Sequence, residues 1–299
     1  MIPGPVKKHK IPKFVPCGKC EFCIDKIRRA WVFRLEQELK ASLAGAFLTL
    51  TYADEHLPVY DDGKVYIQNQ FLDFLEPTLN KEDAQLFMKR VRRSLSYLLS
   101  GEQLAYKKHP MYLEAVKRRQ AYSKWPPVRY FLVGEYGGMF SRPHYHVLLF
   151  NYPKELHYKL NDLWGKGFVH IGTIQTGSIR YCTEYMLQMI GSNRKDRIKP
   201  FSMCSKGIGK NYVHKKENGL KCITNGNKYS LPRYYRDKIY DKWDNLYLSL
   251  EARKRADYIE NQEISRLRQY RVKNPELAMI RNKEQKRIML YNKQNKKAK

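Results

Sequence analysis

The sequence predicts an α+β fold in which helices flank an antiparallel sheet, followed by a basic, mainly helical C-terminal extension. Two observations support this prediction. The predicted elements run in the order α-β-β-α-β-β-α-β-α, so neighbouring strands can pair as hairpins without a crossover helix. The chain has 299 residues, of which 42% are hydrophobic, and a chain of this size can bury a sizeable core.

The first four elements follow from the spacing of apolar and β-branched residues. Apolar side chains recur at helical spacing over residues 21–43, which predicts an amphipathic helix. Residues 46–52 form a β-rich run, and residues 65–69 have the composition of a short strand. Residues 81–99 repeat apolar side chains on one face and carry basic residues around the rest, which predicts a second amphipathic helix.

The same signals predict five further elements, two of them joined by a turn at Gly137 and Gly138. They are strands over 128–135 and 145–150, a short helix over 153–164, a strand over 168–174 and a helix over 178–190. Ser178 is the expected N-cap of the last helix, because its hydroxyl can accept a hydrogen bond from the first turn. Beyond residue 249 the sequence is charged and poor in glycine, which predicts a helical tail broken at Pro275.

Four segments are expected along the chain. They are an N-terminal cysteine-rich segment and helix (1–45), the main α+β domain (46–190), a basic and aromatic segment that completes it (191–250), and a charged helical tail (251–299). Positive charge is concentrated late, since residues 191–240 hold 13 basic and 3 acidic residues.

The formal net charge is +28, from 57 basic and 29 acidic residues, and such a charge needs an anionic partner. Nucleic acid and an anionic membrane surface are the usual partners. The mean hydropathy is −0.67, and the sequence has no apolar run of about 18 residues, so we expect no membrane span. The first residues lack the apolar region of a secretory signal, and six cysteines in this arrangement do not form a disulfide framework. We therefore expect a reduced, intracellular protein.

His144 and His146 are the most informative pair for chemistry. They are two residues apart on a predicted strand, so both side chains project from the same face. Glu135 ends the preceding strand, and a hairpin would return it beside the pair as an oxygen ligand. Such a mixed set accepts Mg²⁺ or Mn²⁺, with zinc as an alternative. The competing interpretation, two half-buried sheet histidines, is less favoured because of the glycine-rich turn and Arg142 beside them.

Tyr181 and Tyr185 are four residues apart on a predicted helix, so both phenols lie on one face, one turn apart. A phenol has a pKa near ~10 and is a poor nucleophile unless its target is polarised. A metal-polarised phosphodiester provides that help. In a chain with 23 tyrosines such a pair is usually packing, and the nearby histidine pair gives it weight.

Seven motifs occur in a characteristic order over residues 16–240. They are PCGKC at 16–20 followed by Cys23, FLTLTY at 47–52, FMKRVRR at 87–93, GEYG at 134–137, RPHYH at 142–146, YxxxY at 181–185 and PRYYR at 232–236. This ordered set resembles the replication initiator proteins of the Microviridae, gokushovirus-like single-stranded DNA phages whose initiators belong to the HUH endonuclease superfamily. The RPHYH motif is the most specific member of the set.

The resemblance implies an HUH-type domain over residues 46–190 that starts rolling-circle replication. It implies His144, His146 and Glu135 as metal ligands, Tyr185 as the principal nucleophile and Tyr181 as the second. Attack on the origin would form a 5′-phosphotyrosyl link and a free 3′-OH, and the strand would later be rejoined. The implied partners are single-stranded phage DNA with its origin and a host helicase and polymerase, in the host bacterial cytoplasm.

The sequence departs from that family at two positions of the tyrosine helix. Relatives usually carry lysine three residues after each tyrosine, and here these positions are Glu184 and Gln188. Lys195 or Arg180 would have to substitute for such a lysine. The alternatives are therefore a weakened or non-catalytic DNA-binding protein of the same fold, or an HUH transposase or plasmid initiator.

Cys17, Cys20 and Cys23 have zinc-site spacing but supply three ligands instead of four. Two interpretations stay open, a structural zinc site or three ordinary thiols at the start of the first helix. Candidates for a fourth ligand are His9, Cys182, Cys204 and Cys222.

Basic residues are the expected DNA contacts. The candidates are Lys89, Arg90, Arg92, Arg93, Arg142, Lys195, Lys210 and Arg233. Residues 191–240 also interleave aromatic side chains that suit a groove for stacked bases, namely Phe201, Tyr212, Tyr229, Tyr234 and Tyr235. A merely solvated loop or helix face is the alternative for each. The oligomeric state and the origin sequence have no signature in the chain.

Overall fold

The fold was analysed in a computed structural model of the chain. It describes residues 2–3, 14–15, 17–18, 20–68, 75–100, 124–138, 141–191, 197–224 and 227–296. Two compact units are present. The sheet unit comprises residues 18–213, and the C-terminal unit comprises residues 1–17 together with 214–299.

The described helices and strands follow the chain in this order. The strands are β1 (Ile2–Pro3), β2 (Phe14–Val15), β3 (Gly45–Thr51), β4 (Pro58–Asp61), β5 (Lys64–Ile67), β6 (Arg129–Tyr136), β7 (Pro143–Phe150), β8 (Val169–Gly172), β9 (Phe201–Cys204), β10 (Lys221–Thr224) and β11 (Asn227–Ser230). The α-helices are α1 (Glu21–Lys40), α2 (Lys81–Ser100), α3 (Leu160–Trp164), α4 (Thr176–Gly191), α5 (Arg233–Ile239), α6 (Lys242–Gln269) and α7 (Pro275–Lys296). Short 3-10 helices cover Asp54–His56, Lys154–Lys159 and Lys216–Asn218.

A five-stranded antiparallel sheet in the order β8-β3-β7-β6-β9 forms the centre of the sheet unit. Strand β7 lies in the middle, between β3 and β6. The predicted antiparallel α+β fold is therefore confirmed. The short hairpin β4–β5 forms a separate two-stranded ladder.

The two faces of the sheet bury different cores. Alternate residues of β7, such as Tyr145 and Val147, pack with Phe87 of α2 and Trp164 of α3. The other set of β7 residues, including Leu148, packs under α1 and α4. Because side chains alternate along a strand, the even-numbered positions of β7 face the second core. His144 and His146 are even-numbered, and so they lie on the α1–α4 side.

A buried carboxylate fastens α1 to the rest of the sheet unit. Glu38 of α1 is 3% exposed and forms an ion pair with Arg129 at the start of β6. Its second oxygen accepts a hydrogen bond of 2.7 Å from the backbone N–H of Gly209, in the turn after β9. Such a charge is tolerated in the interior because both oxygens have partners.

The C-terminal unit contains two small β-ladders, β1–β2 and β10–β11, and the helices α5 to α7. Asp241 caps α6 by accepting a 2.7 Å hydrogen bond from the N–H of Asp244. Helices α6 and α7 contact each other, and one buried side chain from each helix, Ile264 and Met279, lies in the unit. In the described parts of the chain, every helix is too short or too polar to cross a bilayer.

Several predicted boundaries were wrong. Helix α4 begins at Thr176, and Ser178 is its third residue instead of its N-cap. The Ser178 hydroxyl accepts a 2.7 Å hydrogen bond from the N–H of Gln175, so it satisfies the residue that precedes the helix. The charged tail begins as a helix at Lys242, earlier than residue 251, whereas the break before Pro275 is confirmed.

Other differences concern short elements. Strand β4, strand β9 and the hairpin β10–β11 were not predicted, and the predicted helix over 153–164 is a 3-10 helix followed by α3. The first helix ends at Lys40 instead of residue 43. Four-residue strands carry too few alternations to stand out from turns. The four-segment division stays a prediction, and the sequence boundary between the two compact units falls inside its third segment, after residue 213.

Substitution of Trp164 by alanine tests the α2–α3 core. Trp164 is fully buried, and its indole N–H donates a 2.8 Å hydrogen bond to the carbonyl of Thr51. We expect Trp164→Ala to lower the free energy of unfolding by about 3–5 kcal/mol, measured by urea denaturation with circular dichroism. The control Trp243→Ala removes a side chain that is 77% exposed, and its effect should stay within about 0.5 kcal/mol. Equal effects of the two substitutions would contradict this core assignment.

Candidate active site

The register between β6 and β7 places three of the predicted site residues together. Glu135 pairs directly with His144, and Val133 pairs with His146. The turn between the strands is closed by two backbone hydrogen bonds, Gly137 N–H to the Arg142 carbonyl (2.9 Å) and Ser141 N–H to the Gly137 carbonyl (3.1 Å). This tight closure brings the carboxylate back beside the histidines.

His146 is held at both ring nitrogens. It is 5% exposed, and its Nε2 lies 2.9 Å from Oε1 of Glu135, which is itself 6% exposed. Its Nδ1 lies 3.1 Å from the hydroxyl of Thr49 on the neighbouring strand β3. A carboxylate only accepts, so the neutral ring carries its proton on Nε2 and accepts the Thr49 hydroxyl proton at Nδ1.

His144 is held at one nitrogen. Its Nδ1 lies 2.8 Å from the backbone carbonyl of Arg142, and a carbonyl can only accept. Nδ1 therefore donates, and the lone pair of the neutral ring is on Nε2. A Cβ at Gly137 would lie 2.9 Å from Cε1 of His144, so the glycine of the GEYG motif leaves room for this ring.

The donor set fits a divalent cation in chemistry. His144 Nε2 offers a lone pair, and His146 Nε2 and Glu135 share a proton at a position that a cation with nitrogen and oxygen ligands can take. The three ligand atoms are not as close as a preformed cluster. Within the described ranges, mutual ligand-atom distances within 4.8 Å are reached by Cys17, Cys20 and Cys23 instead.

Two phenol rings from α4 lie against the His146 ring. The ring centroids of Tyr185 and His146 are 5.5 Å apart with an interplanar angle of 12°, a stacked arrangement. Tyr181 approaches the same imidazole edge-on at 5.0 Å and also lies 5.0 Å from Tyr185. Tyr181 is 42% exposed, whereas Tyr185 is half-buried. The predicted one-turn spacing of the tyrosines therefore places both phenols at the histidine pair.

The Tyr185 phenol is not activated by its own surroundings. Burial raises its pKa well above the usual range. Hydrogen bonds to Tyr181 and Glu135 raise it further, and so does the negative charge of Glu135. Loss of the Tyr185 proton therefore needs positive charge near Glu135 or the phenol.

The residues that replace the expected lysines of α4 have defined surroundings in part. Glu184 forms an ion pair of 3.4 Å with Arg28 of α1, and Arg28 also binds Asp25 at 2.7 Å. Arg180 lies close enough to Glu36 of α1 to counteract the rise that burial causes in the pKa of that carboxyl. The side chain of Gln188 and all of Lys195 lie outside the described residues, and the substitution of a lysine by Arg180 or Lys195 stays a prediction.

Three of the predicted DNA contacts make bonds inside the sheet unit. Arg90 donates to the carbonyls that end α3, at 3.2 and 3.4 Å. Arg92 donates to the hydroxyl of Ser205 at 3.2 Å. Arg142 pairs with Asp54 at 2.7 Å and donates to a backbone carbonyl at 3.0 Å. Each guanidinium therefore supports the fold, and its contact with DNA stays a prediction.

The other described cations are exposed in different places. Lys89 and Arg93 lie on α2, over the sheet face opposite the tyrosines. Lys210 lies in the turn after β9, where Ile208 packs into the α1–α4 core. Arg233 belongs to the C-terminal unit and pairs with Asp237 at 2.9 Å. In the sheet unit, Lys210 is thus the exposed candidate on the tyrosine side.

The aromatic residues predicted to stack on bases have mixed environments. Tyr212 lies edge-on to Phe33 at 5.0 Å, and Phe201 packs against the α2–α3 core. In the C-terminal unit, Tyr235 is buried and Tyr229 is exposed. Tyr234 has the ammonium of Lys238 over its ring at 4.2 Å.

The cysteine cluster near the start of α1 has the geometry for a metal ion. The sulfur atoms of Cys17, Cys20 and Cys23 lie within 4.8 Å of one another. The proposed fourth ligands are placed as follows: Cys182 is in the core under α4, Cys204 is exposed on β9, Cys222 is buried on β10, and His9 lies outside the described residues. The cluster can bind a metal, and which ion it takes stays open.

Sequence reasoning assigned no role to two residues that touch the site. Phe47 lies nearly parallel to the His146 ring at 5.7 Å, and Thr49 contacts its Nδ1. Both belong to the FLTLTY motif and alternate toward the same face of β3. That alternation was a signal for their common face, but their register against β7 was not.

A pair of glycine substitutions tests the packing around His144. We expect Gly137→Ala to displace the His144 ring, because the new methyl group would meet Cε1 at 2.9 Å. Gly138→Ala is the matched control, since a Cβ there meets nothing within 4 Å. Histidine ring ¹H–¹³C spectra should show a shifted His144 resonance in Gly137→Ala and an unchanged one in Gly138→Ala. An unchanged His144 resonance in both variants would contradict the close approach.

Comparison with known proteins gives the family. The model of the replication-associated protein ORF2 family matches residues 45–190. Replication-associated protein VP4 of Bdellovibrio phage phiMH2K is 29% identical over 74% of this chain and 66% of its own length. Replication-associated protein ORF2 of Spiroplasma virus 4 is 26% identical over 83% of this chain and 75% of its own length.

Two further similarities are more distant. Replication-associated protein ORF4 of Chlamydia phage 1 is 22% identical over 77% of this chain and 55% of its own length, so the matches span between about half and three quarters of these relatives. The N-terminal nuclease domain of the minute virus of mice non-structural protein 1 is similar over 62% of this chain and 79% of that chain. Its 12% identity and TM-score of 0.19 are too low to support an argument. The family model and the three phage relatives agree, and through residues 45–190 the chain belongs to the replication-associated protein ORF2 family.

Proposed function

We propose that this protein starts rolling-circle replication of a phage genome as an HUH-type nickase with a tyrosine nucleophile and a divalent cation. The observation that supports it most is the stacking of Tyr185 on His146, with Tyr181 beside both rings. Nucleophile candidates and ligand candidates thus share one face of the sheet. Membership in a family of replication-associated proteins agrees with this role.

His144, His146 and Glu135 are the proposed ligands. Mg²⁺ or Mn²⁺ suits the mixed nitrogen and oxygen donors, with Zn²⁺ as the alternative. When bound, the cation supplies charge that holds a phosphate oxygen and stabilises the transition state. Partial neutralisation of Glu135 would also remove one cause of the raised pKa of Tyr185.

Tyr185 is proposed to attack the scissile phosphorus. Its phenolic oxygen forms a bond to phosphorus, the bond to the 3′ oxygen breaks, and the phenolic proton leaves while the 3′ oxygen gains one. The products are a 5′-phosphotyrosyl link and a free 3′-OH. One phosphodiester has replaced another, so the reverse attack can rejoin the strand without ATP. Tyr181, one turn away, can cut the regenerated origin while Tyr185 still holds the first strand.

A non-catalytic DNA-binding protein of the same fold is the second candidate. Two observations favour it, the raised pKa of Tyr185 and the ion pair that Glu184 makes with Arg28 where relatives carry a lysine. An HUH transposase or a plasmid initiator is a third candidate, distinguished by its DNA sequence preference. Under the main proposal the partners are the phage origin, as single-stranded DNA, and a host helicase and polymerase in the bacterial cytoplasm.

Tyrosine substitutions test the chemistry. Single-stranded oligonucleotides tiling the phage genome are incubated with the full chain and Mn²⁺, and covalent adducts are resolved on denaturing gels. We expect Tyr185→Phe to abolish the first adduct, and Tyr181→Phe to leave first cleavage largely intact while blocking the second strand transfer. The control Tyr158→Phe, at a phenol that is 71% exposed on the Lys154–Lys159 turn, should behave as wild type.

The outcomes separate the candidates. Tight DNA binding by the wild-type chain with no adduct on any oligonucleotide would support the non-catalytic protein. Adducts that survive the double substitution Tyr181→Phe/Tyr185→Phe would exclude both phenols as nucleophiles. Loss of first cleavage in Tyr181→Phe alone would reverse the two proposed roles.

Salt dependence tests the path of the DNA backbone. We expect Lys210→Ala to weaken single-stranded DNA binding and to reduce the slope of log affinity against log salt by about 0.7, the value of one phosphate contact. Lys89→Ala is the matched control, because Lys89 is also exposed but lies on the helix that covers the opposite sheet face. Fluorescence anisotropy over a salt series measures both slopes. A larger change in Lys89→Ala would place the DNA along α2 instead.

A further inference from the structure

We propose that Thr49 is a positioning residue for the site, and that its hydroxyl fixes the orientation and the tautomer of His146. The inference rests on the proposed function, because it concerns the use of His146 as a ligand. The observation behind it is the 3.1 Å contact between Thr49 Oγ1 and His146 Nδ1. Among the described residues, no other side chain lies within hydrogen-bond distance of that nitrogen.

The Thr49 hydroxyl is placed rigidly. Strand β3 is hydrogen-bonded on both sides, and Thr49 pairs with His146 of β7 on one side and with His170 of β8 on the other. A β-branched side chain has few χ1 rotamers, so little freedom is left to the hydroxyl. The site residue and its partner are thus joined through adjacent strands instead of a loop.

The two nitrogens of His146 face different partners, and this makes the ring orientation matter. Glu135 lies at Nε2 and Thr49 at Nδ1, at 2.9 and 3.1 Å. A half-turn of the ring about its bond to Cβ would present carbon atoms to both partners and lose both hydrogen bonds. Phe47 and Tyr185 lie nearly parallel to the ring and do not distinguish its two orientations. The polar contacts therefore set the direction of Nε2.

A hydroxyl is suited to this position because it can donate or accept. In the metal-free protein the neutral ring has its proton on Nε2, which donates to Glu135, and the Thr49 O–H donates to Nδ1. A ring that binds a cation through Nε2 keeps one proton, and that proton is then on Nδ1. The Thr49 hydroxyl rotates and accepts it, so the buried N–H is satisfied in both states.

His144 has a corresponding partner that no side-chain substitution can remove. Its Nδ1 donates to the backbone carbonyl of Arg142, which can only accept. His144 is therefore set in the ligand tautomer at all times, whereas His146 has to change tautomer. Thr49 is the part of this arrangement that mutagenesis can test.

Three substitutions isolate the hydroxyl. Thr49→Val keeps the shape and removes the donor and acceptor, and Thr49→Ser keeps the hydroxyl. The matched control is Thr51→Val, two residues along the same face of β3, where the hydroxyl contacts the Phe168 carbonyl at 3.5 Å. Mn²⁺ affinity is measured by titration calorimetry, and stability of the metal-free proteins by urea denaturation.

We expect Thr49→Val to bind Mn²⁺ about 10–100-fold more weakly than wild type, the range found when a ligand histidine loses its outer partner. Thr49→Ser and Thr51→Val should bind close to wild type, and the stability of metal-free Thr49→Val should resemble that of Thr51→Val. Lower stability of Thr49→Val with unchanged Mn²⁺ affinity would show a merely structural role and overturn the proposal.

A measurement on the metal-free protein tests the contact without the cation. Long-range ¹H–¹⁵N spectra should show a hydrogen-bonded Nδ1 for His146 in wild type and an unbonded one in Thr49→Val. An identical Nδ1 signal in both would also overturn the proposal. If wild type and His144→Ala are equally unable to bind Mn²⁺, the proposed function fails as well. Binding by wild type that Thr49→Val retains in full overturns the role of Thr49 alone.

Discussion

Backbone pairing across β3, β7 and β6 is the constraint on which the site depends. It places Thr49, His146 and Glu135 on one face of the sheet with hydrogen bonds between neighbours. A shift of the β7 register by one residue would turn both histidines toward the α2–α3 core and expose Tyr145 and Val147 to α4. The apolar residues of β7 oppose such a shift, because each would leave its own core. The stability of the fold and the placement of the ligands are therefore set by the same interaction.

The helix that carries the phenols is fixed to the same frame. Ile179 and Cys182 of α4 are buried against the sheet, and the tyrosines follow from the helical period on either side of them. Tyr185 reaches the imidazole because its helix is packed, and packing is also what raises its pKa. A well-placed phenol is thus a poorly ionised one, and the proposed cation would resolve that conflict. Positive charge is sparse at this site and abundant in the exposed turns and the C-terminal unit.

The extent to which the site was predictable depended on the range of the interactions involved. Two-residue and four-residue periods placed His144 with His146 and Tyr181 with Tyr185 from local geometry alone. Thr49 and His146 are 97 residues apart, and no local pattern specifies the register that joins them. Charge patterns were also insufficient, because Arg92 and Arg142 look like their exposed neighbours in the sequence and are used for internal hydrogen bonds. The strand β9 was missed because four residues are too few to show a period.

The two outermost strands of the sheet, β8 and β9, are only four residues long. Each offers a second molecule little unpaired backbone, so an intermolecular ladder could gain few hydrogen bonds there. The net charge of +28 adds repulsion between copies at low ionic strength. A chain that collects polyanions is thereby protected against sheet-to-sheet aggregation, and neutralisation by nucleic acid is the condition under which that protection weakens. Purification with nucleic acid removed and salt kept low should favour dispersed molecules.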